Sequence, residues 1–531
     1  MTAWHPTVVA LLPELVLCAA AVVVLLAGMG GGAGRRHVAP VLTALALIAA
    51  LVVTVWQRQS AGAAFASLNV DSLTWYVRLL SGSVGLLILL ANWHVPSDGE
   101  RAEYFSLLLF SLAGISLVSA ADDLLMLFLA LELVSVPTYV LIGLSRTHAQ
   151  VQEATAKYFF LGAFAAAMTL YGFSFLYGAA GTTTLVGVAP DEPSLAAFMA
   201  RPGMSGDALV RIGMLLALAG LAFKIAAVPF HFYVPDVYQG AAAPVSGMLG
   251  FVPKLAGFVA LIRVLGLTGW QFDPPLFWLI WAMAAATMFA GNTLALMQRE
   301  NVKRVLAYSS IAHTGYMLIA LLAGPGGAAE PSAASPFRNG LAAVLFYIAI
   351  YGVMNLGAFA ALAYFRRRSD GEPVETFAEL SEAARSRPGP AIALAVCAVG
   401  LMGLPPTAGL IGKVYLFSSA LSLPDGAAFQ RPMVVLVVLG VINAAIAAAY
   451  YLRIASACLI GDKHRDAAAP TPCPALRAGL LACAVIVILA FVRPGPLLRE
   501  AHRAADGLHT FSAQTPAPVT DSSLAHAAST E

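Results

Sequence analysis

Apolar stretches of about twenty residues recur along almost the whole chain, and the loops between them are short and rich in Gly, Pro, Ser and Asp. A helix needs roughly 20 apolar residues to cross the hydrocarbon core of a bilayer. Such runs fall near 7–29, 38–56, 70–93, 103–120, 122–144, 155–178, 208–233, 244–267, 275–297, 304–323, 340–365, 389–421, 430–458 and 476–493. The pattern predicts an all-α polytopic membrane protein with about fourteen transmembrane helices. Met1 to Pro6 carry no Lys or Arg, and the first run is longer than a signal-peptide core, so it reads as a permanent span. Beyond Leu497 the chain turns polar and rich in Ala, Ser and Thr, which predicts a disordered tail over 498–531.

Composition strengthens this picture. Of 531 residues, 60% are hydrophobic and 11% charged, and the mean hydropathy is +0.81. A soluble domain carries roughly 25% charged residues, so there are too few here to coat a water-facing surface. The net charge of +2 gives no support for nucleic-acid binding. Five cysteines (Cys18, Cys397, Cys458, Cys473 and Cys483) form no C-x-x-C pair, which argues against a disulfide framework, a zinc site or an iron–sulfur site.

Positive charge orients the chain. Loops after odd-numbered helices hold Arg35, Arg36, Arg101, Arg146, Lys157, Arg299, Lys303, Arg304, Arg366, Arg367, Arg368, Arg385, Arg387, Lys463, Arg465 and Arg477. The other side holds little beyond Arg58, Arg201, Arg338 and Arg431. The first set is expected in the cytoplasm, with both termini on the non-cytoplasmic side of a bacterial inner membrane.

Six of the 30 cationic residues are lysines (157, 224, 254, 303, 413 and 463), and three of these, Lys224, Lys254 and Lys413, lie inside apolar runs. A cation at membrane depth costs about 2.5–3.5 kcal/mol on insertion scales. Arginine stays protonated, whereas a buried lysine gives up its proton more readily. Lysine inside and arginine in loops and at helix ends therefore reads as a choice for groups that titrate; the plainer alternative is a structural partner for a buried carboxylate. Glu132, midway along the fifth helix, is the natural counter-charge. Glu14, in the first helix, has no polar company in the sequence and reads as the weaker candidate.

Backbone breaks accompany these charges. Lys224 precedes Pro229, His231 and Pro235; Lys254 follows Pro253; Lys413 follows Gly403, Pro405, Pro406 and Gly409. Interrupted helices at membrane depth are tolerated in the protein interior or beside water-filled cavities. Broken helices in corresponding places mark the ion path of inverted-repeat transporters. Here the seventh and twelfth qualify, which predicts two five-helix repeats, helices 4–8 and 9–13. The corresponding boundaries are 1–102 for helices 1–3, 103–270 and 271–460 for the repeats, and 461–497 for the last helix. Ser309, His313 and Tyr316 share one face of the tenth helix, and Tyr347, Tyr351 and Asn355 one face of the eleventh. His313 and His231 suit proton relay because imidazole titrates near neutrality; the tyrosine stripe reads as packing. The glycines at 28, 30, 31, 32 and 34 follow a membrane helix rather than a strand, so they read as a flexible connection, not a nucleotide loop.

Five stretches then point to a family: ELVSVPTYVLIGL (132–144), EATAKYFFLGAFAAAMTLYGFSFLYGAAGTT (153–183), FKIAAVPFHFYVPDVYQGA (223–241), NVKRVLAYSSIAHTGYML (301–318) and GLPPTAGLIGKVYLF (403–417). In these the chain resembles the antiporter-like subunit N of proton-pumping NADH:quinone oxidoreductase, respiratory complex I. The resemblance implies fourteen helices, two inverted five-helix repeats and a proton path along a central polar axis, driven by quinone reduction in other subunits. It places the key carboxylate on Glu132, its paired lysine on Lys224, the central lysine on Lys254 and the distal one on Lys413. His231, Lys303 and His313 match further polar positions. It also implies no cofactor in this chain. NAD, FMN, iron–sulfur clusters and quinone are expected in partner subunits, and neighbouring antiporter-like subunits among the partners. Three residues depart from the family pattern: Tyr233 in place of Trp, Gln239 of Glu, and Leu410 of Phe. All three are expected to lie away from the axis. A multi-subunit cation/proton antiporter, a dehydrogenase with another electron donor, and a scaffold that no longer pumps are the competing readings.

Overall fold

The structure, a computed structural model, describes all residues except 1–5, 29–36, 61–62, 66, 98, 147, 188–191, 326–336, 368–371, 424–428, 461–472 and 514–531. The glycine-rich stretch after Gly28, the cations Arg35, Arg36, Arg368, Lys463 and Arg465, and the end of the polar tail therefore lie outside the described residues.

The elements in order are α1 (Pro6–Ala10), α2 (Leu12–Gly28), α3 (Val38–Trp56), a small antiparallel hairpin of β1 (Ala63–Phe65) and β2 (Leu68–Val70), α4 (Ser72–Asn92), α5 (Arg101–Ala120), α6 (Leu124–Gly143) and α7 (Ala149–Ala180). Then come α8 (Leu195–Met199), α9 (Ala208–Lys224), α10 (Val234–Gly240), α11 (Ala243–Leu249), α12 (Val252–Gly266), α13 (Pro274–Met297) and α14 (Val302–Ala323). The chain continues with α15 (Gly340–Tyr364), α16 (Phe377–Arg385), α17 (Pro388–Met402), α18 (Ala408–Leu421), α19 (Gln430–Leu459), α20 (Pro474–Val492) and α21 (Gly495–Ala513). Among the described residues, 11 helices are long and apolar enough to cross a membrane, with α11 and α12 taken as one. The shorter apolar helices α2, α9, α17 and α18 fall in the remaining runs.

Burial divides the bundle. The α11–α12 span and α15 are wholly enclosed, and α14 nearly so, whereas α3, α7, α13, α19 and α20 turn apolar side chains outward. Leu45, Val52 and Trp56 on α3 and Val435, Val438 and Val441 on α19 are such outward residues. An apolar exterior around an enclosed polar centre is the arrangement a bilayer demands, since hydrocarbon replaces water as the outer solvent.

Three spans are interrupted. The α9–α10 and α17–α18 breaks lie where the Pro and Gly residues predicted them. The eighth helix, expected as one run, is also interrupted, at Gly250 and Phe251 between α11 and α12. Every helix end leaves backbone groups without intrahelical partners, and side chains from other helices and from the break itself satisfy several of them here. At the first break Thr314 donates to the Ile225 carbonyl (2.7 Å), Tyr233 to that of Phe223 (2.9 Å), and the Val228 N–H donates to Thr287 Oγ1 (2.9 Å). Asn355 donates to the Gly247 carbonyl at the second (3.2 Å). Backbones meet closely at the third: a Cβ on Gly409 would overlap the Gly400 carbonyl oxygen, and Gly403 holds φ +87°.

The stretch expected as disordered tail corrects the sequence reading over 498–513. It forms most of α21, whose Ala501, Ala504 and Ala505 are fully buried against α4 and α15. His502 Nε2 meets Tyr415 Oη at 2.8 Å, and Glu500 pairs with Arg58 at 3.2 Å. Small residues repeating at helical spacing make the buried stripe, a pattern that low overall hydropathy concealed.

Asp122, between α5 and α6, is buried and accepts the Val186 N–H at 3.1 Å. Burial pushes its carboxyl up to about 6, although the Arg263 guanidinium opposes the shift. The folded state thus holds this proton more tightly than the unfolded chain, so stability falls as pH rises from about 4 to about 6 and is level above that. Asp122→Asn, which fixes the neutral form, is expected to raise the thermal midpoint at pH about 7.5 and leave it unchanged near pH 4. Scanning fluorimetry of the purified protein at both pH values checks this; equal effects at the two would contradict it.

Candidate functional site

Lys224 is the last residue of α9, placed beside the break by the Pro-rich sequence that follows. Its Nζ lies 2.9 Å from Glu132 Oε1 and donates to the Ser135 hydroxyl one turn further along α6. The lysine is buried and the carboxylate is 24% exposed, so the pair sits at the edge of the enclosed centre. Ser135 and Thr138 return their hydroxyl protons to α6 carbonyls, at 2.7 Å each.

Lys254 lies in the first turn of α12, behind Pro253. Between the two lysines is a cavity with about 10 Å³ open to a water-sized sphere, room for about one water molecule. Tyr158, Tyr233 and Tyr238 line it with Lys224 and Lys254 themselves. Lys254 Nζ donates to the Ser310 carbonyl and to Thr314 Oγ1 (2.9 Å), and stands 5.4 Å from the centre of the Tyr351 ring. Among the described residues no carboxylate is in ion-pair contact with Lys254 or Lys413, unlike Lys224.

His313 continues the row. Its Nδ1 meets Tyr347 Oη at 2.6 Å and its Nε2 meets Tyr451 Oη at 2.8 Å, so one hydroxyl donates while the other accepts, whichever tautomer is present. Tyr451 also bonds Ser309. The His313 ring centre is 5.0 Å from that of Tyr351, which reaches toward Lys254, and 5.8 Å from that of Tyr316. On the far side Lys413 Nζ stands 5.1 Å from the Tyr316 ring centre and donates to the Met402 carbonyl at 2.8 Å. That carbonyl belongs to the last turn of α17, where the helix dipole favours a cation. Asn292 ties Tyr316 (3.0 Å), Tyr450 (3.0 Å) and Asn443 (3.2 Å) together behind the row.

The structure thus brings together Glu132, Lys224, Lys254, His313 and Lys413, and leaves two candidates apart. Lys303 is fully buried but donates to the carbonyls of Gln239 (2.6 Å) and Ala241 (2.7 Å), capping the end of α10. Beside it Arg146 reaches Glu375 at 3.0 Å, and Lys303 reaches the same carboxylate at 3.5 Å. Burial alone would raise the Glu375 carboxyl, but these two cations hold it below the usual carboxylate range. His231 lies half-buried in the α9–α10 break, with no hydrogen bond, ion pair or ring contact to the lysine row among the described residues.

Three expectations need correcting. Tyr347 and Tyr351 are not simply packing, since one bonds His313 and the other lies under Lys254. Tyr233 does touch the axis: it lines the cavity between two lysines, with its ring stacked 4.3 Å from Phe223. Gln239 lies apart from the row: its carbonyl accepts from Lys303 and its Oε1 from Arg304 at 2.7 Å. Nor is arginine confined to loops and helix ends: Arg78 is buried within α4 and holds Glu14 at 2.7 and 2.8 Å, while Arg263, in the last turn of α12, is buried too and holds Asp71 at 2.8 Å. Tyr450 and Tyr451 escaped the sequence reading, although an adjacent tyrosine pair in an Ala-rich span was a visible signal.

Comparison with known proteins places these features in a family. The model described as NADH:quinone oxidoreductase/Mrp antiporter, TM matches residues 121–447. The chain is 38% identical to NADH-quinone oxidoreductase subunit N of Trichlorobacter lovleyi over 373 residues, 70% of each chain. It is 35% identical to the subunit N of Gemmatimonas aurantiaca over 513 residues, 93% of each. Among solved structures, a chain of respiratory complex I from Thermus thermophilus with bound aureothin is similar at a TM-score of 0.73 and 31% identity, over 92% of this chain and 98% of that one.

Proposed function

Because the chain belongs to the NADH:quinone oxidoreductase/Mrp antiporter transmembrane family, within it to the subunit N group, we propose that it moves protons through the row Glu132, Lys224, Lys254, His313 and Lys413. The observation that supports this reading is the continuity of the row. A one-water cavity joins Lys224 to Lys254, and a tyrosine-bracketed histidine stands between Lys254 and Lys413.

In this mechanism Lys224 alternates between pairing with Glu132 and releasing its proton into the cavity toward Lys254. Thr314, Tyr351 and the Tyr347–His313–Tyr451 bracket carry it on toward Lys413. Quinone reduction in partner subunits supplies the drive, and those subunits carry the NAD, FMN, iron–sulfur and quinone sites. The chain itself holds none of these in this reading, and works as one subunit of a translocase. Its partners are the other membrane subunits of complex I, among them neighbouring antiporter-like chains. In this reading the chain lies in a bacterial inner membrane, and the uneven distribution of Lys and Arg supports an orientation with both termini on the non-cytoplasmic side. The two five-helix repeats, helices 4–8 and 9–13, belong to the same proposal.

His313→Phe keeps an aromatic ring, slightly larger, and removes both polar atoms. In inverted membrane vesicles with assembled complex, it is expected to lower NADH-driven acidification by about tenfold or more, the scale of a lost proton-transfer group. Unchanged acidification would remove His313 from the path. A related multi-subunit antiporter, or a dehydrogenase with another electron donor, is the second reading, favoured by the breadth of the family description. Flavin and iron–sulfur subunits co-purifying with the chain would favour the redox complex, and their absence the antiporter.

A further inference from the structure

Two connected cavities open between the α8 region, the end of α12 and the start of α13. The larger, about 630 Å³, is lined by Arg201, Gly203, Arg263, Thr268, Trp270 and Gln271 among others. The smaller, about 280 Å³, runs between α9 and α13 past Met214, Leu215, Pro275, Leu276 and Leu279. Met199, Thr268, Gln271 and Asp273 line both. One lobe is therefore rich in polar groups and the other almost wholly apolar. The apolar lobe opens on an outward face, where Ile212, Leu215, Trp278 and Leu279 are exposed.

The depth of the site is set by the helix starts. Asp207 caps α9 through the N–H groups of Leu209 and Val210, and Asp273 caps α13 through that of Leu276, so the polar lobe lies where both helices leave the apolar layer. Trp278 sits one turn inside that level, the position in which tryptophan marks a membrane interface. Charge at the site favours an anion. The two linings contain Arg201, Arg211 and Arg263; with Asp273 in the lining and Asp71 behind it, three cations stand against two carboxylates, a surplus of one, and Arg201 is the cation without an ion pair among those described. Arg211 meets Asp273 at 3.3 Å, and Arg263 meets Asp71 from behind. Arg263 is more than nine-tenths buried, and its Nε–H has no acceptor among the described residues. Its Nη2 group donates to the Ser119 carbonyl, so the guanidinium is held in place at the wall of the larger cavity.

We propose that this double cavity binds one anionic phospholipid, its phosphate beside Arg201, Arg211 and Arg263 and the upper part of an acyl chain between α9 and α13. A phosphate offers acceptor oxygens to several guanidinium groups at once, and the apolar lobe takes the chain that anchors it. The site adjoins the end of α12, the helix that carries Lys254. It stands independently of the proton-transfer reading.

The test uses the assembled complex in nanodiscs containing a phosphatidylglycerol probe with a diazirine high on one acyl chain, followed by peptide mapping. A parallel sample carries the same diazirine on a diacylglycerol, which lacks the phosphate. Labelling at Met199, Met214, Leu215 or Leu279 is expected at least threefold above that from diacylglycerol, and Arg201→Gln with Arg211→Gln is expected to remove the difference. Equal labelling by the two probes would reduce the cavity to ordinary lipid contact and overturn the proposal. No labelling between α9 and α13 would overturn it too, since another chain or structure would then cover the cleft.

Discussion

Lys224→Met is expected to abolish coupled turnover. In inverted vesicles with assembled complex, both NADH-driven quinone reduction and acidification should fall by roughly tenfold or more. Methionine fills the same apolar space, so packing against α6 and α12 survives, but Glu132 loses its cation and the cavity its donor. Lys224→Arg separates the two roles a lysine has here. Arginine keeps the charge and can still pair with Glu132, yet holds its proton under ordinary conditions. Assembly should therefore be normal and pumping lost. Pumping restored by arginine would make the ion pair structural and sink the proton-transfer role; normal activity in the methionine variant would do so more directly.

The second large effect is expected far from this row. Glu14 and Arg78 form a two-toothed ion pair buried between α2 and α4, and Arg78 also donates to the Ala10 carbonyl at 2.8 Å. Replacing one partner of a buried pair leaves an uncompensated charge and typically costs about 3–5 kcal/mol, whereas replacing both with apolar residues is often neutral. Arg78→Leu is thus expected to cut the amount of folded subunit in the membrane severely, and Glu14→Leu with Arg78→Leu to recover most of it. Quantitative blotting and thermal midpoints of the two variants decide the matter. A single variant as stable as the double would mean that the pair contributes nothing.

That pair also marks the limit of what the chain discloses before folding. Membrane class, most spans, the breaks near Lys224 and Lys413, and the interior lysines were all legible, because hydropathy and the rarity of lysine are one-dimensional signals. Glu14 looked isolated because its partner is 64 positions away, and no periodicity links α2 to α4. Arg78, inside the run 70–93, hid for the same reason: nothing along the chain names the carboxylate it meets. Tyr347 and Tyr351 share a face that packing alone would explain. Only the approach of α14 to α15 turns the first into a hydrogen-bond partner of His313. The stretch around Ala501, Ala504 and Ala505 read as tail because alanine carries little hydropathy, yet its small side chains let α21 lie close on α4 and α15.

The interrupted helices have a consequence for how the chain is made. Spans leave the ribosome in order, and α9 with its open end reaches the bilayer before α13 and α14 exist. The carbonyl of Ile225 and the N–H of Val228 are satisfied by Thr314 and Thr287, which are synthesised 89 and 59 residues later. Until then those groups must be shielded by water or by the insertion machinery, because hydrocarbon offers them nothing. The first half of the protein is therefore finished only by the second, and biogenesis binds the two into a single unit of maturation.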